Sequence, residues 1–184
     1  AGVVVAKLGT ASVSPEELLT AVSAAPAGAA DNVLAETSLA SVLEDLRAAG
    51  QRIVMTNGCF DLIHPGHVRY LQQAKALGDV LVVAVNDDDS VRRLKGERRP
   101  VNTLDDRIAV LAALGAVDYV VSFSEGTPTR LIEALAPDVL VKGGDYAVEQ
   151  IAGHESVLAR GGEVRVLDFV DGHSTSRLIE RLND

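Results

Sequence analysis

Runs of consecutive apolar residues alternate along this chain with stretches whose apolar positions recur every three to four residues. The runs are Ile53-Val54-Met55, Val80 to Val85, Tyr119-Val120-Val121 and Val139-Leu140-Val141, followed by a last strand-like segment from Glu163 to Leu167. Short unbroken apolar runs suit strands covered on both faces, so they predict a parallel sheet buried between helices. The helical pattern appears first at Leu39, Val42, Leu43 and Leu46, in a helix that Thr37 or Ser38 can cap and Gly50 stops. A second helix opens at Pro65 and carries Val68, Leu71 and Ala74 on one face. Thr103 caps a third, to Leu114, and Thr127-Pro128 opens a fourth, to Leu135. Leu178, Ile179 and Leu182 share the face of a last helix that begins around Gly172 to Arg177. Strands alternating with helices predict an α/β fold, a Rossmann-like, doubly wound, five-stranded parallel sheet with helices on both faces.

The chain has 184 residues, of which 47% are hydrophobic, enough for one domain with a real core and an appendage. The appendage is residues 1–36 and the domain residues 37–184. Ala24-Ala25-Pro26-Ala27-Gly28-Ala29-Ala30 reads as linker. A formal net charge of -9 argues against nonspecific nucleic-acid binding, which needs a clustered basic face. No run approaches the roughly 18 apolar residues of a membrane span, and the start lacks a signal-peptide pattern. A single cysteine makes no internal disulfide. A cytoplasmic protein with no membrane or nucleic-acid partner is the expectation.

The chemistry concentrates at Asn57-Gly58-Cys59-Phe60-Asp61 and His64-Pro65-Gly66-His67. A strand leads into a glycine-bearing turn, and the turn into a helix N-terminus. Free N–H groups and the positive end of the helix dipole meet there, and both suit phosphate. Gly58 and Gly66 let a ligand approach the main chain. His64 and His67, three apart on the first helical turn, can face the same way. Such donors stabilise charge developing on a phosphorus under attack by another phosphate. A zinc pair would need further ligands, and Cys59 is the only cysteine.

Other stretches admit two readings each. Asp87-Asp88-Asp89, at a strand's C-terminal end, can hold magnesium or cap the next turn, and capping is favoured. Arg92 to Arg99 is a concentrated basic loop containing Lys95, either a phosphate clamp or a solvated loop. Arg107 is either a surface charge on its helix or part of the site. Lys142-Gly143-Gly144-Asp145 follows a buried strand, where adjacent glycines permit close approach of a nucleotide or simply make a turn. Ser174-Thr175-Ser176 can cap a helix or donate to phosphate. Neither His154 nor His173 has a motif role.

The central motif resembles the signature of the cytidylyltransferase-like nucleotidyltransferases, G-x-F-D-x-x-H-x-G-H, met here at every fixed position. Arg93-Leu94-Lys95-Gly96, Arg99-Pro100-Val101-Asn102, Val141 to Tyr146 and Ser174 to Ser176 are similar to the adenylyltransferase domain of bifunctional heptose 1-phosphate kinase/adenylyltransferases, which make ADP-heptose. The resemblance runs from about Leu39 to the C-terminus. It implies transfer of AMP from ATP to D-glycero-β-D-manno-heptose 1-phosphate with release of pyrophosphate, and Mg2+ accompanying ATP. It implies that His64 and His67 stabilise the α-phosphate and that Lys95 and Arg107 hold phosphates. Asn57, Gly58, Phe60, Asp61, Gly66, Lys142, Gly143, Gly144 and Asp145 would line the nucleotide site. Ser174, Thr175 and Ser176 would bind the triphosphate from a second helix start, although His173 and Ser176 depart from the commonest family pattern. The N-terminal segment, from Gly2 to Leu19, is similar to the tail of ribokinase-like sugar kinases, or is an ordinary arm. Its Val3-Val4-Val5 run leaves a homodimer open. Two alternatives remain: a cytidylyltransferase for glycerol phosphate or a related alcohol phosphate, and a nucleotide-binding module without catalysis.

Overall fold

The structure, a computed structural model, describes residues 31–167. The expectations for the alanine-rich linker, the kinase-like segment and Ser174-Thr175-Ser176 fall outside these residues. In chain order the elements are α1 (Glu36–Ala48), β1 (Ile53–Gly58), α2 (Pro65–Lys75), β2 (Val80–Asn86), α3 (Asp88–Lys95), α4 (Leu104–Ala112), β3 (Tyr119–Phe123), α5 (Thr129–Leu135), β4 (Val139–Gly143), a 3₁₀ turn (Val148–Gln150), α6 (His154–Ala159) and β5 (Glu163–Leu167).

The five strands form one sheet in the order β3-β2-β1-β4-β5, and every neighbouring pair is parallel. The chain winds outward from β1 through β2 to β3, then returns to the other side of β1 for β4 and β5. The winding therefore reverses between β1 and β4, and in open α/β sheets ligands bind at the strands' carboxyl ends at such a reversal. Side chains alternate along each strand. Ile53 and Met55 of β1, with Val82 and Ala84 of β2, pack against Leu39 and Leu43 of α1 and Leu131, Ile132 and Leu135 of α5. Val54, Leu81, Val83 and Val85 face the opposite layer, with Leu71 and Ala74 of α2 and Leu111 of α4. The predicted two-faced, doubly wound sheet is what the chain builds.

Aspartates close the lower edge of the sheet. Asp138 Oδ2 accepts from Ile53 N at 2.7 Å and Asp118 Oδ2 from Leu81 N at 2.6 Å. These carboxylates pair the first N–H of β1 and the second of β2, and so help fix where each strand begins.

Several expectations need correction. The stretch from Arg92 to Arg99 is not all loop, because α3 occupies Asp88–Lys95. Asp87 caps that helix by accepting from Ser90 N, as the capping reading expects, and Arg92, Arg93 and Lys95 crowd its last turn, where the dipole favours cations. Gly96, at φ 93°, ends it. Helix α1 begins at Glu36 behind Ala35, which offers no capping side chain, so neither Thr37 nor Ser38 caps it. The domain also begins earlier than residue 37. Val33 bridges to Val120, Leu34 N donates to Val120 O, Val120 N donates to Asn32 O, and buried Asn32 donates to Ala112 O. Residues 32–34 run along the sheet's β3 edge and lead through Ala35 into α1, so residues 32–36 belong to the domain rather than to an appendage.

Net hydrogen bonds of this kind contribute on the order of 1 kcal/mol each. A chain beginning at Glu36 should therefore unfold in urea with about 2 kcal/mol less stability than one beginning at Asp31. Equal midpoints and slopes would return residues 32–35 to the appendage.

Candidate active site

Strand β1 runs three residues further than its apolar stretch, through Thr56, Asn57 and Gly58. Thr56 is wholly buried, and its Oγ1 lies 2.6 Å from the Tyr70 hydroxyl of α2. That hydroxyl donates to Val141 O of β4 at 3.3 Å, so Thr56 is the donor in the first contact. Burial pushes the Tyr70 phenol up to about 12, and it stays neutral. Tyr70 thus pins α2, β1 and β4 together beneath the crevice. The sequence pattern put Val68 on the core face of α2; Val68 is half-buried and Tyr70 is buried instead.

The motif turns sharply after Gly58. Phe60 sits at φ 46°, a left-handed conformation that costs a bulky residue about 1–3 kcal/mol and tends to persist at functional sites. The ring is held by the core beside α2 and lies 5.5 Å from the His67 ring. A Cβ on Gly58 would come within 3.1 Å of that ring. Gly58 therefore makes room for Phe60, a different reason from the expected approach of a ligand.

Asp61 does not face an open site. Its carboxylate is buried and accepts from Val101 N at 2.7 Å, Asn102 N at 3.0 Å and the Arg99 Nε, while Asn102 Nδ2 donates back to Asp61 O. Burial pulls its pKa upward, but the bonds from Asn102, Arg99 and Val101 outweigh that and hold it below the usual value. Arg107 is likewise committed within the protein. Its side chain is fully buried, with Nη1 donating to Cys59 O at 2.6 Å, Nε to Asn102 O at 3.2 Å and Nη2 to Asp88 Oδ1 at 2.8 Å. Both were expected to contact the nucleotide or its phosphates. In this structure they lock the turn at Cys59–Asp61 to the loop at Arg99–Asn102.

The groups that do gather at the crevice are His64, His67, Lys95 and Lys142. His64 is the N-cap of α2, with Pro65 in the first turn. The two imidazoles stack with centroids 3.9 Å apart and 31° between their planes. Burial first, then the charges of His64 and Lys95, lower the His67 pKa to about 4, so it is neutral at pH 7. Its Nδ1 is buried without a hydrogen-bond partner. Lys142, at the end of β4, reaches across to β1, with Nζ 3.2 Å from Asn57 O. Burial lowers its pKa, Cys59 opposes that and Lys95 adds to it. Lys95 is exposed at the end of α3, near enough for its charge to act on both His67 and Lys142. Gly66 is buried in the first turn of α2. Gly143 ends β4, Gly144 follows at φ 118° with its N donating to Leu167 O, and Asp145 is exposed beyond them. His154 lies away from this cluster, with Nδ1 2.9 Å from Ile151 O.

The arrangement collects cationic and N–H donor groups where the sheet's winding reverses, in a protein that is acidic overall. It describes the nucleotide-binding class of doubly wound proteins, built to receive phosphates. A family model described as Cytidylyltransferase-like matches residues 55–181, and this chain belongs to that family. Bifunctional protein HldE of Methylococcus capsulatus is 62% identical over 186 residues, covering 100% of this chain and 39% of that protein. The protein of the same name from Alkalilimnicola ehrlichii is 60% identical over 182 residues, covering 99% of this chain and 38% of that protein. The chain thus spans 38–39% of the length of these curated relatives. Among solved structures, a lipopolysaccharide core biosynthesis protein from Thermoplasma volcanium is 31% identical with a TM-score of 0.53, covering 66% of this chain and 98% of that one. Pantoate-beta-alanine ligase from Francisella tularensis shares the fold alone, at 16% identity and a TM-score of 0.55, covering 78% of this chain and 68% of that one.

The lowered His67 pKa fixes a pH dependence. In the unfolded chain this histidine titrates near 6.5, so between pH 6.5 and about 4 the unfolded state binds more protons and stability falls as pH falls. Discounted for partial solvent screening, the loss is about 2 kcal/mol, and His67→Asn should remove it. Urea midpoints measured from pH 7.5 to 4.5 decide this; the lowered glutamates begin to titrate at the bottom of that range in both proteins, so the difference between the two isolates His67, and parallel curves would contradict it. Arg107→Gln should destabilise by about 3 kcal/mol, because it leaves Asp88 and two carbonyls without their partner. An unchanged unfolding midpoint would return Arg107 to ligand binding.

Proposed function

We propose that this chain is a nucleotidyltransferase that moves AMP from ATP to D-glycero-β-D-manno-heptose 1-phosphate, giving ADP-heptose and pyrophosphate. The observation that carries the reading is the convergence of His64, His67, Lys95 and Lys142 on the crevice between β1 and β4. The curated relatives, and the Thermoplasma volcanium protein with its link to lipopolysaccharide core biosynthesis, favour the sugar phosphate as acceptor. An enzyme of this kind works in the cytoplasm, where ATP is available.

In the reaction, an oxygen of the sugar 1-phosphate attacks the α-phosphorus of ATP. The new P–O bond forms as the bond to the β-phosphate bridging oxygen breaks, and pyrophosphate leaves with that electron pair. The attacking oxygen is already anionic, so no general base is needed. His67 is neutral before nucleotide arrives. The negative charge of the triphosphate favours its protonation, which raises its donor strength as charge develops at the α-phosphate. Lys142 and Lys95 hold the remaining phosphate charge, and the N-terminus of α2 adds its free N–H groups. Asn57, Gly143, Gly144 and Asp145 border the nucleotide, with Ser174, Thr175 and Ser176 as further triphosphate donors. Gly58, Phe60 and Asp61 shape the turn that presents the histidines.

Magnesium is expected as the counter-ion of ATP. Among the described residues no three His, Cys, Asp or Glu side chains cluster to hold a metal. The aspartate triplet is otherwise engaged, Asp87 in capping α3, Asp88 with Arg107 and Asp89 with Arg92. In this reading the ion arrives with the nucleotide's own phosphates.

His67→Ala should lower kcat by about 10²–10³, or roughly 3–4 kcal/mol, while leaving ATP affinity close to that of the unaltered protein. Pyrophosphate release across ATP, CTP, GTP and UTP, each paired with heptose, glucose and glycerol phosphates, gives both the assignment and this comparison. Turnover with CTP and glycerol phosphate in place of ATP and heptose 1-phosphate would replace the reading with a cytidylyltransferase.

A further inference from the structure

Arg99 takes no part in the site described so far, yet its surroundings are unusual for an arginine that merely holds a loop. Its side chain is 17% exposed and pairs with Asp61, itself 1% exposed. The contact is made through Nε alone. A guanidinium paired for structure commonly presents two parallel N–H groups to a carboxylate. Here the Oδ1 of Asp61 is already occupied by Val101 N and Asn102 N. Among the described residues Nη2 of Arg99 is buried without a hydrogen-bond partner, and Nη1 makes no ion pair with Asp61. A buried donor left unmade costs about 1–3 kcal/mol, and native proteins rarely leave one without a use.

The fork's direction is fixed by the same contacts that build the motif. Asp61 follows Phe60, whose ring lies beside His67. Arg107 ties Cys59 O to Asn102 O, so the Arg99 loop and the motif turn move as one unit. Neighbouring Arg98 is exposed and makes no such contact. The geometry points to Arg99 as a phosphate-binding residue of this site, its Nη1–Nη2 edge accepting a substrate phosphate as a bidentate pair while Asp61 holds Nε. This rests on the nucleotidyltransferase reading for the phosphate's identity, which is either the triphosphate or the acceptor's own group. Arginine suits the role because its planar fork matches phosphate oxygens, which a lysine ammonium does not.

The test uses the full chain and three variants, Arg99→Gln, Arg99→Lys and Arg98→Gln. Steady-state pyrophosphate release is measured with each substrate varied in turn, alongside thermal midpoints and calorimetric binding of inorganic tripolyphosphate. Arg99→Gln should raise KM for one phosphate substrate by about tenfold or more with kcat little changed, and it should also lower the thermal midpoint, because it removes the Nε contact to buried Asp61. The substrate affected names the subsite. Arg99→Lys should recover only part of the loss, and Arg98→Gln should behave as the unaltered protein. Both KM values unmoved would overturn the proposal. So would both KM values rising together by similar factors, since that marks a brace. Tripolyphosphate decides the matter separately should the unaltered protein release no pyrophosphate from any substrate pair, a result that sinks the functional reading. Binding that weakens in Arg99→Gln then keeps Arg99 as an anion-binding residue, and no binding, or equal binding in both proteins, removes it.

Discussion

The pairing of β1 with β4 is the constraint on which the site depends. Val54, Met55 and Thr56 lie opposite Val139, Leu140 and Val141. Parallel register makes the two strands end side by side, so Lys142 arrives at the main chain of Asn57. The buried chain from Thr56 through Tyr70 to Val141 O holds that register from the α2 side. A slip of one residue would turn Thr56 and every apolar neighbour to the wrong face. Because α2 is fixed by the same tyrosine, the histidines of its first turn keep their place relative to both strand ends.

Much of the fold could be read from the chain because β1, β2 and β4 are buried on both faces, which leaves an unbroken apolar signature. The strand ends could not. Thr56, Asn57 and Gly58 look like turn residues, and polar residues are what a sheet carries where it opens onto a polar ligand. Helix α3 was hidden for a related reason. Only Ser90 and Val91 are buried in it, too little apolar pattern to stand out among charges. Helix α6, with Val157 as its one buried residue, escaped in the same way.

At the site, residue type was legible and orientation was not. Asp61 and Arg107 occupy positions that suit a ligand-binding role, but an acid and a base at such spacing serve equally well to lock loops. Their burial decides the matter, and burial follows from the loop at Arg99–Asn102 folding over the motif. Gly58 is the same lesson in reverse: a glycine beside a phosphate motif suggests close approach, whereas here it accommodates Phe60. Arg99 stood in the basic stretch without distinction, since nothing in the chain says which of its neighbours would be left exposed.

The electrostatics give the account its sharpest claim. In an acidic chain, His67 and Lys142 have lowered pKa values, each through burial and each with Lys95 nearby. Like charges held in a low-dielectric crevice are relieved by a polyanion, and proton uptake should accompany its arrival. The most direct measurement is an NMR titration of the His67 imidazole with and without saturating ATP. In the free protein the ring should titrate near 4, and with ATP its pKa should rise toward or beyond the ordinary histidine value. A pKa that stays the same when ATP is bound, or a His67 already protonated at neutral pH in the free protein, would contradict the placement of the triphosphate at this crevice.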